Sequence, residues 1–349
     1  MKALAATACL IVLSMLASAA ENYRIESVER DGFPIVRLHD NRAKTIVSVV
    51  PSIGNNAFEM LVNGTNVLWF PFKSLAEFKS KPTLCGVPLL APWANRLDED
   101  GFWANNKHYK FNRDLNNIRP DGNNHPIHGL VTFASQWEVV DTKADESGAQ
   151  VTSRLEFWRY PDYMAQFPFA HTLYMTYQLQ DGLLEVRTTV ENNSTETMPV
   201  SIGFHPYFHI SDAPRDSWTV SLPAKEQVLL SPQLMPTGET RAMPYQQGVS
   251  LKGVALDDVF TGLIRAESHR ADFGVTGTKQ HISVLYGENY PVAVVYAPPG
   301  RDFICFEPMS GPTNAFNLNH AGKYAELQTV PPRGKWEGSF WIRPGGFSQ

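Results

Sequence analysis

Cysteine is nearly missing from this chain, at three in 349 residues. Cys9 falls in the first apolar stretch, so only Cys85 and Cys305 remain for the body of the protein. Two cysteines are too few for a disulfide scaffold or a cysteine-rich zinc site. Two buried free thiols are the expectation, with a Cys85–Cys305 pair as the alternative. A basic excess is missing as well. Lys and Arg number 30 against 35 Asp and Glu, a formal charge of −5, so nothing in the balance draws nucleic acid or an acidic membrane. Beyond the N-terminus no run approaches the roughly 18 apolar residues of a membrane-spanning helix. There is no G-x-G-x-x-G after a strand pattern and no phosphate-loop lysine motif, so nucleotide binding has no signal. A repeat at a fixed spacing and a Pro/Ser/Gly linker are also lacking. What is present is 43% hydrophobic and 19% charged, which is globular and excludes a disordered chain.

The first residues stand apart. Lys2 is followed by an apolar stretch from Ala3 to Leu16, interrupted by Thr7 and Ser14, and then by Ala17-Ser18-Ala19. This is the pattern of a secretory signal with a small-residue cleavage site, too short to span a bilayer comfortably. The expectation is a leader over residues 1–19, a mature chain from Ala20, and a secreted or periplasmic protein with no stable membrane insertion once the leader is removed. Residues 20–349 then read as one domain.

Strand patterns dominate that domain. Leu173, Met175, Tyr177 and Leu179 alternate with polar residues up to Asp181-Gly182, and Leu184, Val186, Thr188 and Val190 carry the period of two back. Phe58–Val62, Asn63-Gly64 and Val67–Phe70 predict a second hairpin, since Asn-Gly tolerates the positive φ of a tight turn. Extended runs follow at Val220–Leu222, His281–Tyr286, Val292–Tyr296, Phe303–Phe306 and Gly338–Ile342. The exception is Lys73–Lys81, which predicts two helical turns with Leu75, Phe78 and Ala76 inward. So many strands require two stacked antiparallel sheets or a closed barrel.

Five segments concentrate ionisable groups in apolar surroundings. Asn95-Arg96 ends the proline-stiffened run from Gly86; its guanidinium suits vicinal hydroxyls or a carboxylate, or else pairs with an acid such as Asp98. His125-Pro126-Ile127-His128-Gly129 and His205-Pro206-Tyr207-Phe208-His209 carry spacings seen in zinc sites. Both read as extended, however, and four strand residues span roughly 13 Å, too far for His205 and His209 to share an ion. No metal is expected. Asp257-Asp258 on a strand point to opposite faces, so one of them at most serves a given site. Glu307 follows Phe303-Ile304-Cys305-Phe306, where burial would raise a carboxyl's pKa and make it a general base, with Pro308 expected to break the strand just beyond it.

Taken together and in this order, these segments resemble the aldose 1-epimerases, also called galactose mutarotases. The motifs are P-L-L-x-P-x-x-N-R at 88–96, I-H-G at 127–129, H-P-Y-F at 205–208, D-D-x-F at 257–260 and E-P-x-x-G-P-x-N-A-F-N at 307–317. The resemblance runs from about Val49 to Ile342. It implies an all-β fold, a large antiparallel β-sandwich of the galactose mutarotase-like supersandwich type, with a carbohydrate cleft across one sheet. It implies His205 as general acid and Glu307 as general base, with Asn95, Arg96, His128, Tyr207 and Asp257 holding a small-molecule sugar such as glucose or galactose. No cofactor is implied. The chain departs from the family at Ala94-Asn95, where many members carry glycine before the arginine. Three rival readings remain at this stage: a non-catalytic carbohydrate-binding protein on the same fold, an epimerase of another sugar derivative such as a phosphorylated one, which would need a basic pocket, and a glycosidase or lyase using Glu307 and Asp257 as its two carboxylates.

Overall fold

Apolar residues at every second position, joined by an Asp-Gly link, close a hairpin around 171–192. The computed structural model describes residues 22–348, so the leader expected over 1–19 lies outside the described residues. His171–Gln180 pairs antiparallel with Leu183–Asn192, and Asp181 and Gly182 take φ of 49° and 73°. This hairpin sits inside a nine-stranded sheet. In spatial order the strands are Val249–Ser250, Thr219–Ser221, Ala271–Thr276, His281–Tyr286, Lys335–Gly345, Leu183–Asn192, His171–Gln180, Gly148–Glu156 and Glu138–Asp145.

An eight-stranded sheet lies against it. Its order is Pro236–Ala242, Ala224–Leu230, Leu256–Leu263, Val292–Ala297, Ile304–Met309, Gly203–Phe204 and Leu89–Leu90, with Tyr207–Phe208 also paired to Ile304–Met309. The two sheets share one core. Phe204, Phe208, Val295 and Phe306 from the second meet Phe273, Tyr286, Phe340 and Ile342 from the first, with the Phe204 and Phe340 rings 4.9 Å apart. Each such side chain contributes about 1.5–3 kcal/mol by leaving water. A five-stranded sheet formed by residues 23–66 adds a further layer against the strands Gly148–Glu156 and His171–Gln180. All strand pairs are antiparallel. The architecture is therefore the nearly all-β stacked-sheet fold expected.

Three local expectations need correction. The Asn63-Gly64 turn forms, with φ of 49° and 83°, but its return strand is only Thr65–Asn66; beyond Val67 the chain leaves to pair with 207–209 instead. The predicted helix forms over Leu75–Ser80, N-capped by Ser74, with Leu75 and Phe78 buried, but Ala76 faces solvent. Pro308 does not end its strand, which continues to Met309 between two neighbours. The neighbouring strand is itself interrupted at His205-Pro206, between Gly203–Phe204 and Tyr207–Phe208.

Candidate active site

The strand Ile304–Met309 alternates between two environments. Ile304 and Phe306 point into the core between the sheets, while Cys305 and Met309 join a smaller apolar cluster on the outer face. Glu307 shares that outer parity. Tyr207 pairs with Cys305 and Gly203 with Met309, and continuing this register sets His205 opposite Glu307. Directly opposed residues hold their side chains on one face, and His205 Nε2 lies 3.2 Å from Glu307 Oε1.

The same parity settles the aspartates. Asp257 pairs with Tyr296, which pairs with Cys305, so Asp257 lies on the face of Glu307. Asp258 points the other way, where Gln227 Nε2 donates to its carboxylate and Arg241 in turn donates to Gln227 Oε1 at 2.9 Å.

Loops bring in the remaining groups. The segment 91–97 runs beside 126–130: the His128 amide donates to Asn95 O at 3.0 Å, the Leu97 amide to Pro126 O at 3.0 Å, and the Leu130 amide to Ala91 O at 2.8 Å. Gly129 makes this approach possible. Its φ is +66°, and a Cβ there would lie 2.1 Å from Ala91 O. His128 is itself left-handed at φ 63°, and its ring stands edge-on to His205 with centroids 5.6 Å apart. Arg96 Nε donates to Asp121 Oδ2 at 2.7 Å and its Nη1 to Asn95 Oδ1 at 3.0 Å. The acid that holds this arginine is thus Asp121; Asp98 instead accepts from Asn317 Nδ2 at 2.8 Å. Tyr207 stacks on His205, with centroids 4.7 Å apart and planes 7° apart, and Trp69 covers its other side. The tyrosine backs the histidine and fixes its ring plane.

Burial governs the electrostatics. Glu307 is 2% exposed; desolvation pushes its pKa well up, the Asp257 charge adds to this, and Arg96 opposes it. Burial draws His205 down to about 3, with the Arg119 and Arg96 charges acting the same way, and His128 falls well below its usual range for similar reasons. Burial also raises Asp257. The Asp121 carboxyl is pushed up by burial but held low overall by the His125 and Asn123 amides and by Arg96. Both members of the His205–Glu307 contact resist charge, so the pair favours holding one proton between an uncharged imidazole and an uncharged carboxyl.

Several buried polar atoms here find no hydrogen-bond partner: Glu307 Oε2, His205 Nδ1, His128 Nδ1 and Arg119 Nη1. Unsatisfied buried groups are uncommon in folded proteins, and a cluster of them marks a ligand position. Among the described residues no three His, Cys, Asp or Glu side chains are grouped to hold an ion. His209 contacts Asp302 O at 2.6 Å, and His125 lies beside Asp121. Cys85 and Cys305 are buried free thiols, with Cys305 in hydrogen-bond contact with Tyr207.

The structure therefore brings together His205, Glu307, His128, Arg96, Asn95, Tyr207 and Asp257. Two charged residues at this cleft were not legible in the sequence, Asp121 and Arg119. Both lie in the polar, turn-rich stretch 112–125, where lone charges look like surface charges. The Asp-Gly-Asn-Asn run beginning at Asp121 did signal a turn closed by an aspartate side chain, and Asp121 Oδ1 accepts the Asn123 and His125 amides at 2.8 Å.

Comparison with known proteins agrees with this fold. A family model described as aldose 1-epimerase matches residues 37–343. An uncharacterized protein of Escherichia coli K12, YihR, is 23% identical over 66% of this chain and 71% of its own. A galactose mutarotase-like protein from Clostridium acetobutylicum superposes with a TM-score of 0.83 at 22% identity, covering 94% of this chain and 100% of that one. Galactose 1-epimerase from Lactobacillus acidophilus NCFM superposes with a TM-score of 0.72 at 16% identity, covering 92% and 98%. At these identities the likeness is one of fold.

Proposed function

The chain belongs to the aldose 1-epimerase family, and from that premise we propose that it interconverts the α and β anomers of a free aldose by acid/base opening and closing of the ring. The observation that carries this reading is the His205–Glu307 contact, 3.2 Å apart, with its unpaired Oε2 and Nδ1 and the unpaired Nδ1 of His128 beside it. A protein that only holds sugar has no need of two buried groups sharing a proton.

Ring opening removes the proton from the C1 hydroxyl and delivers one to the ring oxygen. Both oxygens are bonded to C1, so an acid and a base in mutual contact reach them together. From the tautomer with the shared proton on His205, Glu307 takes the hydroxyl proton while His205 gives its own to the ring oxygen, which leaves the uncharged pair; rotation about C1–C2 and reversal of the two transfers closes the other anomer. One proton on the pair is enough, because each transfer restores what the other removes. Each positioned group typically contributes 10²–10⁴-fold. Arg96, fixed by Asp121 and Asn95, and His128 and Asp257 hold sugar hydroxyls, while Tyr207 keeps the His205 ring in plane.

Optical rotation of freshly dissolved α-glucose and α-galactose tests this. Equilibration faster with the protein than without it supports the proposal. An unchanged rate together with sugar binding returns the protein to the binding-only reading, and cleavage of a methyl glycoside to the glycosidase reading. We place the activity outside the cytoplasm, in a single domain over 20–349, on the leader pattern of residues 1–19. N-terminal sequencing of protein from its native cell should begin near Ala20; an intact Met1 would refute export.

A further inference from the structure

One cation at this cleft has no counter-charge. Arg96 is satisfied by Asp121, but Arg119 makes no ion pair among the described residues, and its buried Nη1 meets no acceptor. Its guanidinium lies over the Phe133 ring, 5.7 Å from the centroid, a contact that orients it and leaves its donors free. Its charge helps to lower both His128 and His205, so it acts within reach of both rings.

A cavity of about 310 Å³ is lined by Arg119 with Asn117, Gly129, Thr132 and Gln136. Gly129 directly follows His128, so this cavity and the sugar-holding wall are built from one turn of chain. The Asn117 amide and the Thr132 hydroxyl donate to Asp162 O and His128 O, the Gln136 amide nitrogen stays available beside the forked cation, and among the lining residues there is no carboxylate. A partly buried guanidinium without a partner is unfavourable until an acceptor arrives, and its planar donors match the paired oxygens of an oxyanion.

We propose that Arg119 determines specificity in this cleft and that the preferred substrate is an aldose carrying an anionic substituent — a carboxylate, phosphate ester or sulfate ester — seated in the Arg119 cavity while C1 meets His205 and Glu307. This rests on the mutarotase reading of the same cleft and deepens it by naming the substrate class. Charge-assisted hydrogen bonds make the expected preference over the matching neutral sugar at least about tenfold.

Two measurements on the full mature protein test it. Anomer exchange by saturation-transfer NMR is compared for glucose, glucuronate, glucose 6-phosphate and glucose 6-sulfate, and binding of the same four is measured by calorimetry. We expect kcat/KM and affinity to favour one or more of the anionic sugars by at least about tenfold, the favoured one identifying the substituent, and the preference to shrink with added salt. In Arg119→Gln the anionic-to-neutral ratio should collapse mainly through KM, and Arg119→Lys should restore part of it. A neutral sugar bound and turned over as well as all three anionic ones overturns the proposal, as does a preference that survives in Arg119→Gln. If no sugar is turned over but the anionic ones bind preferentially, the mutarotase reading fails and the Arg119 assignment stands. Should Arg119→Gln not fold, the wild-type ratios and Arg119→Lys still decide.

Discussion

At the scale of single residues, the proposed function rests on where one proton sits. If Glu307 and His205 are the base and acid, Glu307→Gln and His205→Asn should each lower kcat by at least about 10²-fold with little change in melting temperature. Folded variants with near-normal turnover would place the chemistry elsewhere. The pH dependence follows from the directions of the two shifts. Activity needs one proton on the pair. A second is added only on the acid side, where burial has drawn His205 down to about 3, and the single one is lost only on the alkaline side, because burial and Asp257 hold Glu307 well up. The kcat profile should be a broad bell whose acid limb lies below the ordinary histidine range near 6.5; a limb at or above that value would contradict the neutral pair. Most of this site was legible because its residues break an apolar frame: Glu307 after Phe306, and His205 between Phe204 and Pro206. Asp121 and Arg119 have no such frame, and only the fold reveals that loop 119–130 returns beside 91–97.

Among elements, that return is the one most exposed to a single change. Gly129→Ala puts a methyl group against Ala91 O, at a backbone conformation that disfavours any side chain. The two segments must separate, and His128 moves with them. We expect a loss of stability of roughly 1–3 kcal/mol, measured by urea denaturation, and a rise in KM for the sugar. Full stability with an unchanged KM would show that the turn yields without moving His128. Hairpins whose two arms both alternate, such as His171–Asn192, could be read from sequence almost to the residue. The return arm after Asn63-Gly64 could not: Val67–Phe70 looks like a continuing strand, but Leu68 and Trp69 are claimed by 207–208, a partner some 140 residues away. Pro308 misled for the same reason, since the pairing that carries its strand on to Met309 comes from Val292, Ala293 and Gly203 on other strands.

For the whole molecule, buried histidines set the acid limit. His171 is fully enclosed, stacked on Phe157 at 4.2 Å with Nδ1 against Phe169 O, and burial holds it down to about 4. Above about pH 6.5 neither the folded nor the unfolded chain protonates it, so it has no effect on stability. As pH falls further, the unfolded chain takes up a proton that the folded one refuses, and stability declines until about pH 4. By pH 5 this amounts to about 2 kcal/mol from His171, with His128 and His205 acting in the same direction. Glu307 and Asp257, raised by burial, act the other way over this range. Any drop in the urea midpoint between pH 7 and pH 5 should be smaller in His171→Asn; an equal drop would remove His171 from the cause. The alternation along Ile304–Met309 reaches furthest. A slip of one residue in that strand would turn Phe306 toward the cleft and Glu307 toward the core. On the proposed function, a mispaired sheet assembles no active centre, and turnover would double as an assay of native strand pairing: in a refolding mixture, units of activity would count correctly registered molecules, whatever secondary structure the others have regained.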